Sequence, residues 1–273
     1  APPAEDKAAR LAAIRAANAQ KAQASPAQVK PAAARPAPAA VAAPADNDEP
    51  AMAFHSLLLL LLSVVLGAFA AVFVLPRWLP GLSASLLGPE PKAYWFLSRS
   101  SAMVAYGLLW LSMALGLSIS GKLARIWPGG PTVFDMHQHA SLLGLAFGLF
   151  HGLILMGDSY INYSLMQVLV PFRSGAYRPL WVGLGQLALY GLALVGLSFY
   201  ARPLIGRRAW RLIHFLSFLV FALALFHGVK SGTDTQHAWA RAFYWATGGS
   251  LIFLTIYRIL ITATNKRPAP ARA

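Results

Sequence analysis

Two stretches of similar pattern decide the fold: residues 136–152, MHQHASLLGLAFGLFHG, and residues 212–228, LIHFLSFLVFALALFHG. Each is largely apolar and carries a histidine near either end. An ionisable side chain within a membrane is costly unless it has a partner or a function. Each stretch lies in an apolar segment of the length, about 20 residues, that a helix needs to cross a hydrocarbon core. They therefore predict membrane-spanning helices, and their histidines predict a function.

The composition of the whole chain is that of an integral membrane protein. Of its 273 residues, 57% are hydrophobic and 12% are charged, whereas soluble domains have about 25% charged residues. The formal net charge is +14, but the basic residues lie in the N-terminal part and between apolar segments, which argues against nucleic acid as a partner. The absence of cysteine excludes disulfides, cysteine-ligated zinc and iron–sulfur clusters within this chain.

The apolar pattern predicts an all-α fold, a polytopic six-helix transmembrane bundle with a disordered N-terminal tail. We expect the spans at residues 52–75, 94–119, 133–157, 179–201, 209–229 and 238–262. Residues 1–50 are rich in Ala and Pro, so we expect a largely disordered tail with a short helix over residues 5–23 and, as an alternative function, a tether for a partner. The membrane domain is then residues 51–263, and residues 264–273 form a second short tail. The first span is expected to be retained and not cleaved as a signal peptide, because about fifty residues precede it.

Basic residues predict the orientation in the membrane. The two short loops after the second and fourth spans carry Lys122, Arg125, Arg202, Arg207 and Arg208. The other three loops hold five basic residues over more than twice that length. The positive-inside rule then places both termini in the cytoplasm.

The histidine spacing predicts two metal centres between the third and fifth spans. His137 and His151 are fourteen residues apart, about 21 Å along a helix and on one face of it. His214 and His227 are thirteen apart, or about 19.5 Å. Two such helices can hold two haems, each iron taking one neutral imidazole from each helix. Because both spans run outward in the predicted topology, we expect His137 and His214 on the inner haem iron, and His151 and His227 on the outer one.

Two features of these spans qualify that arrangement. Thirteen residues leave His214 and His227 about 140° apart around an ideal helix, so the fifth span is expected to bend, twist or contain a π-bulge. Gly144 lies midway between the histidines of the third span and would leave room for a flat macrocycle. The alternative is plain helix–helix packing through Gly144-x-x-x-Gly148.

Other ionisable residues are expected near the haem edges or at the interfaces. Arg211 lies one turn before the first histidine of the fifth span and would pair with a propionate of the inner haem, or serve as a topology signal. Arg99 lies within a span and is expected to bind an outer haem propionate or the electron acceptor. His139 faces another side of its helix and is expected to bond a neighbouring helix or a propionate. His55 and His237 lie at the interfaces and are expected to be solvated.

Three patterns together resemble a known family. They are His137-x13-His151 followed by His214-x12-His227, the segment Arg99-Ser-Ser-Ala-Met-Val-Ala-Tyr-Gly, and Gly232-Thr-Asp-Thr. Residues 94–260 thereby resemble the ferric reductase-like transmembrane domain shared by ferric reductases, NADPH oxidases and the membrane subunit of the bacterial methionine sulfoxide reductase system. The family's haem-ligand pattern has the same uneven spacing, and the arginine of its second helix lies near the outer haem.

The resemblance implies a cytochrome with two haem b groups in a bacterial cytoplasmic (inner) membrane, surrounded by lipid. Eukaryotic members continue into a flavin and nicotinamide domain, but only about ten residues follow the last expected helix here. We therefore expect a separate electron donor: a flavoprotein, a ferredoxin-like protein or a quinol. The expected acceptor on the opposite side is ferric iron, oxygen, a quinone or a periplasmic redox protein.

Three functions remain open from the sequence. The first is an oxidoreductase that transfers electrons across the membrane, in which haem and no catalytic side chain carries the chemistry. The second is a haem-bearing membrane anchor or assembly subunit of a larger redox complex, whose other subunits are the partners. The third is a transporter or channel without a cofactor.

Overall fold

The computed structural model describes residues 4–23, 49–78, 93–125, 129–158, 160–175 and 177–264. The regular secondary structure of these residues is entirely helical, which confirms the all-α prediction. The chain divides into two compact units, Ala1–Asp46 and Asn47–Ala273. The first contains helix α1, Ala4–Gln23, in agreement with the short helix expected from its alanines. The expected linker after it lies outside the described residues.

Five helices of the second unit are long and apolar enough to cross a membrane, which supports the predicted transmembrane character. The described helices, in chain order, are α2 (Phe54–Trp78), α3 (Ala93–Ser120), α4 (Gly130–Gly157), the short α5 (Leu165–Leu169), α6 (Pro179–Ser231) and α7 (Ala238–Thr264). Helix α2 contains a π-helical turn at Ala70–Val74, and the last turn of α4 is a 3₁₀ turn. Many large apolar side chains on these helices are exposed, as expected for surfaces that face lipid.

The 53 residues of α6 are two helices that meet at Gly206, so the loop expected between the fourth and fifth spans is reduced to a break at this residue. A straight helix of this length would measure about 80 Å, more than twice the thickness of a hydrocarbon core. Gly206 breaks it, with φ 79° and ψ 159°, a conformation that glycine adopts at little cost. The chain reverses there, because Trp181 O lies 2.8 Å from His227 Nδ1. Residues 179–205 and 207–231 are therefore two antiparallel arms.

Helices α3 and α4 form the closest helix pair and run antiparallel. Gly144 of α4 lies against the backbone of Ala105 and Leu109 in α3, where a Cβ would be in ordinary van der Waals contact. Tyr106 of α3 connects this pair to the rest of the bundle, because its ring stacks on Phe221 of α6 and its hydroxyl lies 2.7 Å from Thr247 Oγ1 of α7. The core therefore joins α3, α6 and α7 around one buried tyrosine.

Hydrogen bonds fix helix α2 to the bundle near both of its ends. Tyr200 donates to Met52 O at 2.8 Å, and Gln138 Oε1 accepts from the backbone N–H of Ala51 at 3.0 Å. At the opposite end, Tyr94 donates to Ala71 O at 2.7 Å, within the π-helical turn. A π-turn leaves carbonyls displaced from the regular ladder, which gives Tyr94 an acceptor.

Candidate functional site

The four predicted histidines lie in two facing pairs between α4 and the second arm of α6. The rings of His137 and His214 are 6.0 Å apart between centroids, with an interplanar angle of 74°. Those of His151 and His227 are 6.1 Å apart, at 66°. We name the first the Gly206-side pair and the second the loop-side pair, since residues 160–175 lie over it. The partners are those expected from the parallel direction of the two helices.

A serine of α3 holds each histidine of α4, a feature that the sequence analysis missed. The His151 Nδ1 lies 2.8 Å from the backbone oxygen of Ser98 and 2.8 Å from its hydroxyl. The His137 Nδ1 lies 2.8 Å from the backbone oxygen of Ser112 and 3.0 Å from its hydroxyl. A carbonyl oxygen only accepts hydrogen bonds, so Nδ1 carries the hydrogen and Nε2 the lone pair in both rings.

The repeated contact follows from the helix geometry. Ser98 and Ser112 are fourteen residues apart, as are His137 and His151. Fourteen residues are close to four turns, so each spacing returns to nearly the same face of its helix. Because α3 and α4 are antiparallel, the first serine meets the second histidine and the second serine meets the first histidine. The equal spacing was the signal that could have identified these serines in the sequence.

The two histidines of α6 are held differently from each other. His227 donates from Nδ1 to Trp181 O at 2.8 Å, whereas His214 stacks on Trp210 with centroids 5.2 Å apart and planes 27° apart. Of the bend, twist or π-bulge expected in this helix, the π-bulge is excluded, because residues 207–231 are α-helical throughout. Both rings nevertheless reach their partners across the thirteen-residue spacing.

A cavity of about 230 Å³ surrounds the loop-side pair. Its wall is mostly apolar and includes Gly144, Gly148 and Gly152 on one face of α4. Two polar groups on the wall, Tyr163 Oη and Ser231 Oγ, are buried and have no hydrogen-bond partner among the described residues. Buried hydroxyls are rarely left without a partner, so these two are polar groups available at an otherwise apolar wall.

The loop over this cavity is held in place by hydrogen bonds to Gln186 of α6 and to Asp158, which follows α4. Gln186 Nε2 donates to the backbone oxygens of Gln167 at 2.8 Å and Val168 at 2.7 Å. Asp158 is buried, and its Oδ1 accepts from the N–H groups of Tyr160 and Ile161 at 3.1 and 2.9 Å. The loop therefore forms an ordered wall of the site.

Glycine permits the closest approach at the loop-side pair. A Cβ on Gly185 would lie 2.5 Å from the His227 Nδ1, a separation that no real side chain tolerates. On the Gly206 side, a Cβ on Gly116 would lie 3.2 Å from the His137 ring. Gly144 has ordinary packing distances to α3, which is the helix-packing role left open above, although it also borders the cavity.

The remaining predicted residues are paired with other groups or exposed. Arg99 borders the cavity and forms a bidentate pair with Asp234, in which Nε donates to Oδ2 at 3.0 Å. Arg211 is exposed. His139 is also exposed and donates from Nδ1 to Asp135 O of its own helix at 2.9 Å, while His55 and His237 are exposed.

Comparisons with known proteins add no assignment. No family model matches the chain, and no curated protein or solved structure was found to be similar to it. Across the described ranges, no group of three or more His, Cys, Asp or Glu side chains forms a metal site. The site is therefore interpreted from the two facing pairs and the cavity.

Proposed function

We propose that this chain is a di-haem b-type cytochrome that transfers electrons across a bacterial cytoplasmic membrane. In this proposal each arm of α6 crosses the membrane, giving six spans with both termini in the cytoplasm. His137 and His214 hold the inner haem iron, and His151 and His227 hold the outer one. Bis-histidine ligation needs only two protein ligands for each iron, because the porphyrin nitrogens supply the others.

The single observation that carries the proposal is the separation of the facing rings. A metal–imidazole bond is about 2 Å long, and the nitrogen lies about 1 Å from the ring centre. Two imidazoles on opposite sides of one metal therefore have centroids about 6 Å apart, close to the 6.0 and 6.1 Å found in the two pairs. The Nε2 atoms of His137, His151 and His227 have no hydrogen-bond partner among the described residues, so their lone pairs are free for a metal.

The surroundings of the loop-side pair fit a haem in three respects. The cavity wall is mostly apolar, Gly185 leaves room for the His227 ring on its Nδ1 side, and Tyr163 and Ser231, which line the cavity, have buried hydroxyls without a hydrogen-bond partner among the described residues. Propionate oxygens are acceptors that such hydroxyls can satisfy. Arg99 forms an ion pair with Asp234, so it would contact a propionate or an acceptor while still paired with that carboxylate.

Haem supplies reversible one-electron oxidation and reduction of its iron. The residues of this chain bind and orient the iron through Nε2 and exclude water with the helices and the loop. The electron donor in this proposal is a separate flavoprotein, ferredoxin-like protein or quinol. The acceptor is ferric iron, oxygen, a quinone or a periplasmic redox protein.

The test is a reduced-minus-oxidised visible spectrum of the purified full chain with a measured haem-to-protein ratio. We expect a ratio near two, and a ratio near one in each of the variants H137A, H151A, H214A and H227A. The matched control is H139A, which removes an exposed histidine bonded only to its own helix and should retain both haems. A wild-type protein without Soret absorbance would contradict the proposal and favour the transporter or channel.

A further inference from the structure

We infer that Ser98 and Ser112 are positioning residues, each of which sets the reduction potential of one haem through the histidine that it contacts. The inference rests on the proposed function, and it assigns Ser98 to the loop-side haem and Ser112 to the Gly206-side haem. Each serine contacts the Nδ1 atom of its histidine, and Ser98 also lines the cavity at the loop-side pair. Their effect is exerted on the Nδ1 side of the imidazole, opposite the nitrogen that binds iron.

The contacts of the two serines form the same closed set. Each serine hydroxyl lies near the Nδ1 of its histidine and near that histidine's backbone oxygen, at 3.1 Å for Ser98 and 3.2 Å for Ser112. Each serine backbone oxygen accepts from the same Nδ1. The Ser98 hydrogen has the backbone oxygen of His151 as its acceptor, and the Ser112 hydrogen has Ser141 Oγ or the backbone oxygen of His137. In both cases a lone pair of the serine hydroxyl faces Nδ1–H, because Nδ1 donates to the adjacent backbone oxygen. The Nδ1–H therefore has two oxygen acceptors.

Burial makes this arrangement effective. Ser98 is 1% exposed and Ser112 is 4% exposed, so water does not compete for the Nδ1–H. Acceptors at the outer nitrogen of a ligating imidazole raise its basicity at the metal-binding nitrogen. A more basic ligand stabilises the ferric state more than the ferrous state, so each serine lowers the potential of its haem.

The contacts of Ser98 and Ser112 differ at one further hydroxyl, and this difference ranks the two expected effects on the reduction potential. The Ser112 hydroxyl also lies 2.6 Å from Ser141 Oγ, and Ser141 donates to His137 O at 3.0 Å. The Ser112 oxygen is thus shared between Ser141 and His137 Nδ1, from which it lies 3.0 Å, whereas the Ser98 oxygen lies 2.8 Å from His151 Nδ1 and has no second hydroxyl among the described residues. We therefore expect the larger effect from Ser98.

The experiment is a two-component redox titration of the haem-loaded full chain, with haem content and low-spin ferric EPR measured alongside. Ser98→Ala should change the ratio of ferric to ferrous affinity for the histidine ligand threefold to tenfold. This change raises the reduction potential of one component, at about 59 mV per tenfold. Ser112→Ala should raise the other component by less. Single-haem variants H137A and H151A identify which component belongs to which pair.

Two further variants separate ligand tuning from general packing. Ser118→Ala removes an α3 hydroxyl that donates only to Ala114 O of its own helix and should leave both potentials and both EPR signals unchanged. Ser98→Thr keeps the hydroxyl and should restore the wild-type potential, including where Ser98→Ala loses haem.

The inference is overturned if both alanine variants keep two haems with unchanged potentials, if both move the same component, or if Ser98→Thr behaves as Ser98→Ala does. In each of these cases the wild type still binds two haems and the proposed function stands. A haem-free wild type would instead overturn the proposed function and this inference together.

Discussion

The loop-side and Gly206-side pairs each consist of two facing imidazoles at almost the same separation. The surrounding residues fix the rings of the two pairs with different rigidity. On the loop side, backbone oxygens of Ser98 and Trp181 fix both rings. On the Gly206 side, Ser112 fixes His137 in the same way, while His214 has a stacked tryptophan and no Nδ1 hydrogen bond among the described residues. A hydrogen bond fixes ring rotation and tautomer, whereas stacking fixes only the ring plane. The loop-side pair is thus the preorganised one, and the Gly206-side pair is the adaptable one.

The largest expected effect comes from filling the space beside His227. In Gly185→Ala the new Cβ would stand 2.5 Å from the His227 Nδ1, and the ring cannot move away without losing its bond to Trp181 O. We expect loss of the loop-side haem, seen as a fall in the haem-to-protein ratio from two to about one. Gly196→Ala is the matched control on the same arm, because its Cβ would meet only Leu142 at 3.9 Å. Equal haem content in both variants would contradict the rigidity assigned to the loop-side pair.

An intermediate effect is expected from the ion pair at the rim of the loop-side cavity. Asp234→Asn removes the charge opposite Arg99, whose side chain is 31% exposed. The free energy of unfolding should fall by the value of a partly buried charged hydrogen bond, about 1–3 kcal/mol. We expect a lower thermal midpoint of the solubilised protein and a spectral change confined to the loop-side haem. Asp135→Asn, which neutralises an exposed carboxylate, should change neither. A change at the Gly206-side haem alone would refute this placement.

The smallest expected effect concerns the adaptable pair. Trp210→Leu removes the ring that stacks on His214, and such aromatic contacts contribute about 0.5–1.5 kcal/mol. We expect carbon monoxide to bind the reduced Gly206-side haem about twofold to tenfold more readily, because His214 dissociates more often. Trp239→Leu, at a tryptophan that is 56% exposed, serves as the control. If carbon monoxide binding rises at the loop-side haem, the contrast between the pairs is wrong.

The sequence predicted what depends on length and periodicity along a single helix. Apolar segments of about 20 residues predicted membrane-spanning helices, and five described helices are long and apolar enough to cross a membrane. The parallel direction of the third and fifth spans predicted which histidines face each other. The break at Gly206 was not predicted. The residues around it, from Arg202 to Arg208, are polar and include a proline, so they have the composition of a loop.

Contacts between helices could not be predicted in the same way. Ser98 and Ser118 look alike in the sequence, since a hydroxyl in a span usually bonds to its own preceding turn. Only the packing of α3 against α4 turns one toward an imidazole and leaves the other on its own helix. Arg99 was predicted to bind a propionate or the acceptor because an unpaired charge within a span is costly. In the structure its partner is Asp234, which lies 135 residues later in the chain.

The matched spacing of Ser98 with Ser112 and of His137 with His151 constrains how this chain can change. One residue inserted between the two histidines would shift His151 by about 1.5 Å along the helix and 100° around it. It would leave its serine, and only an equal insertion between the serines could restore both contacts. The distance between the two centres, about 21 Å along α4, can therefore change only if the number of residues between the histidines and between the serines changes equally. Loops can vary in length without altering it.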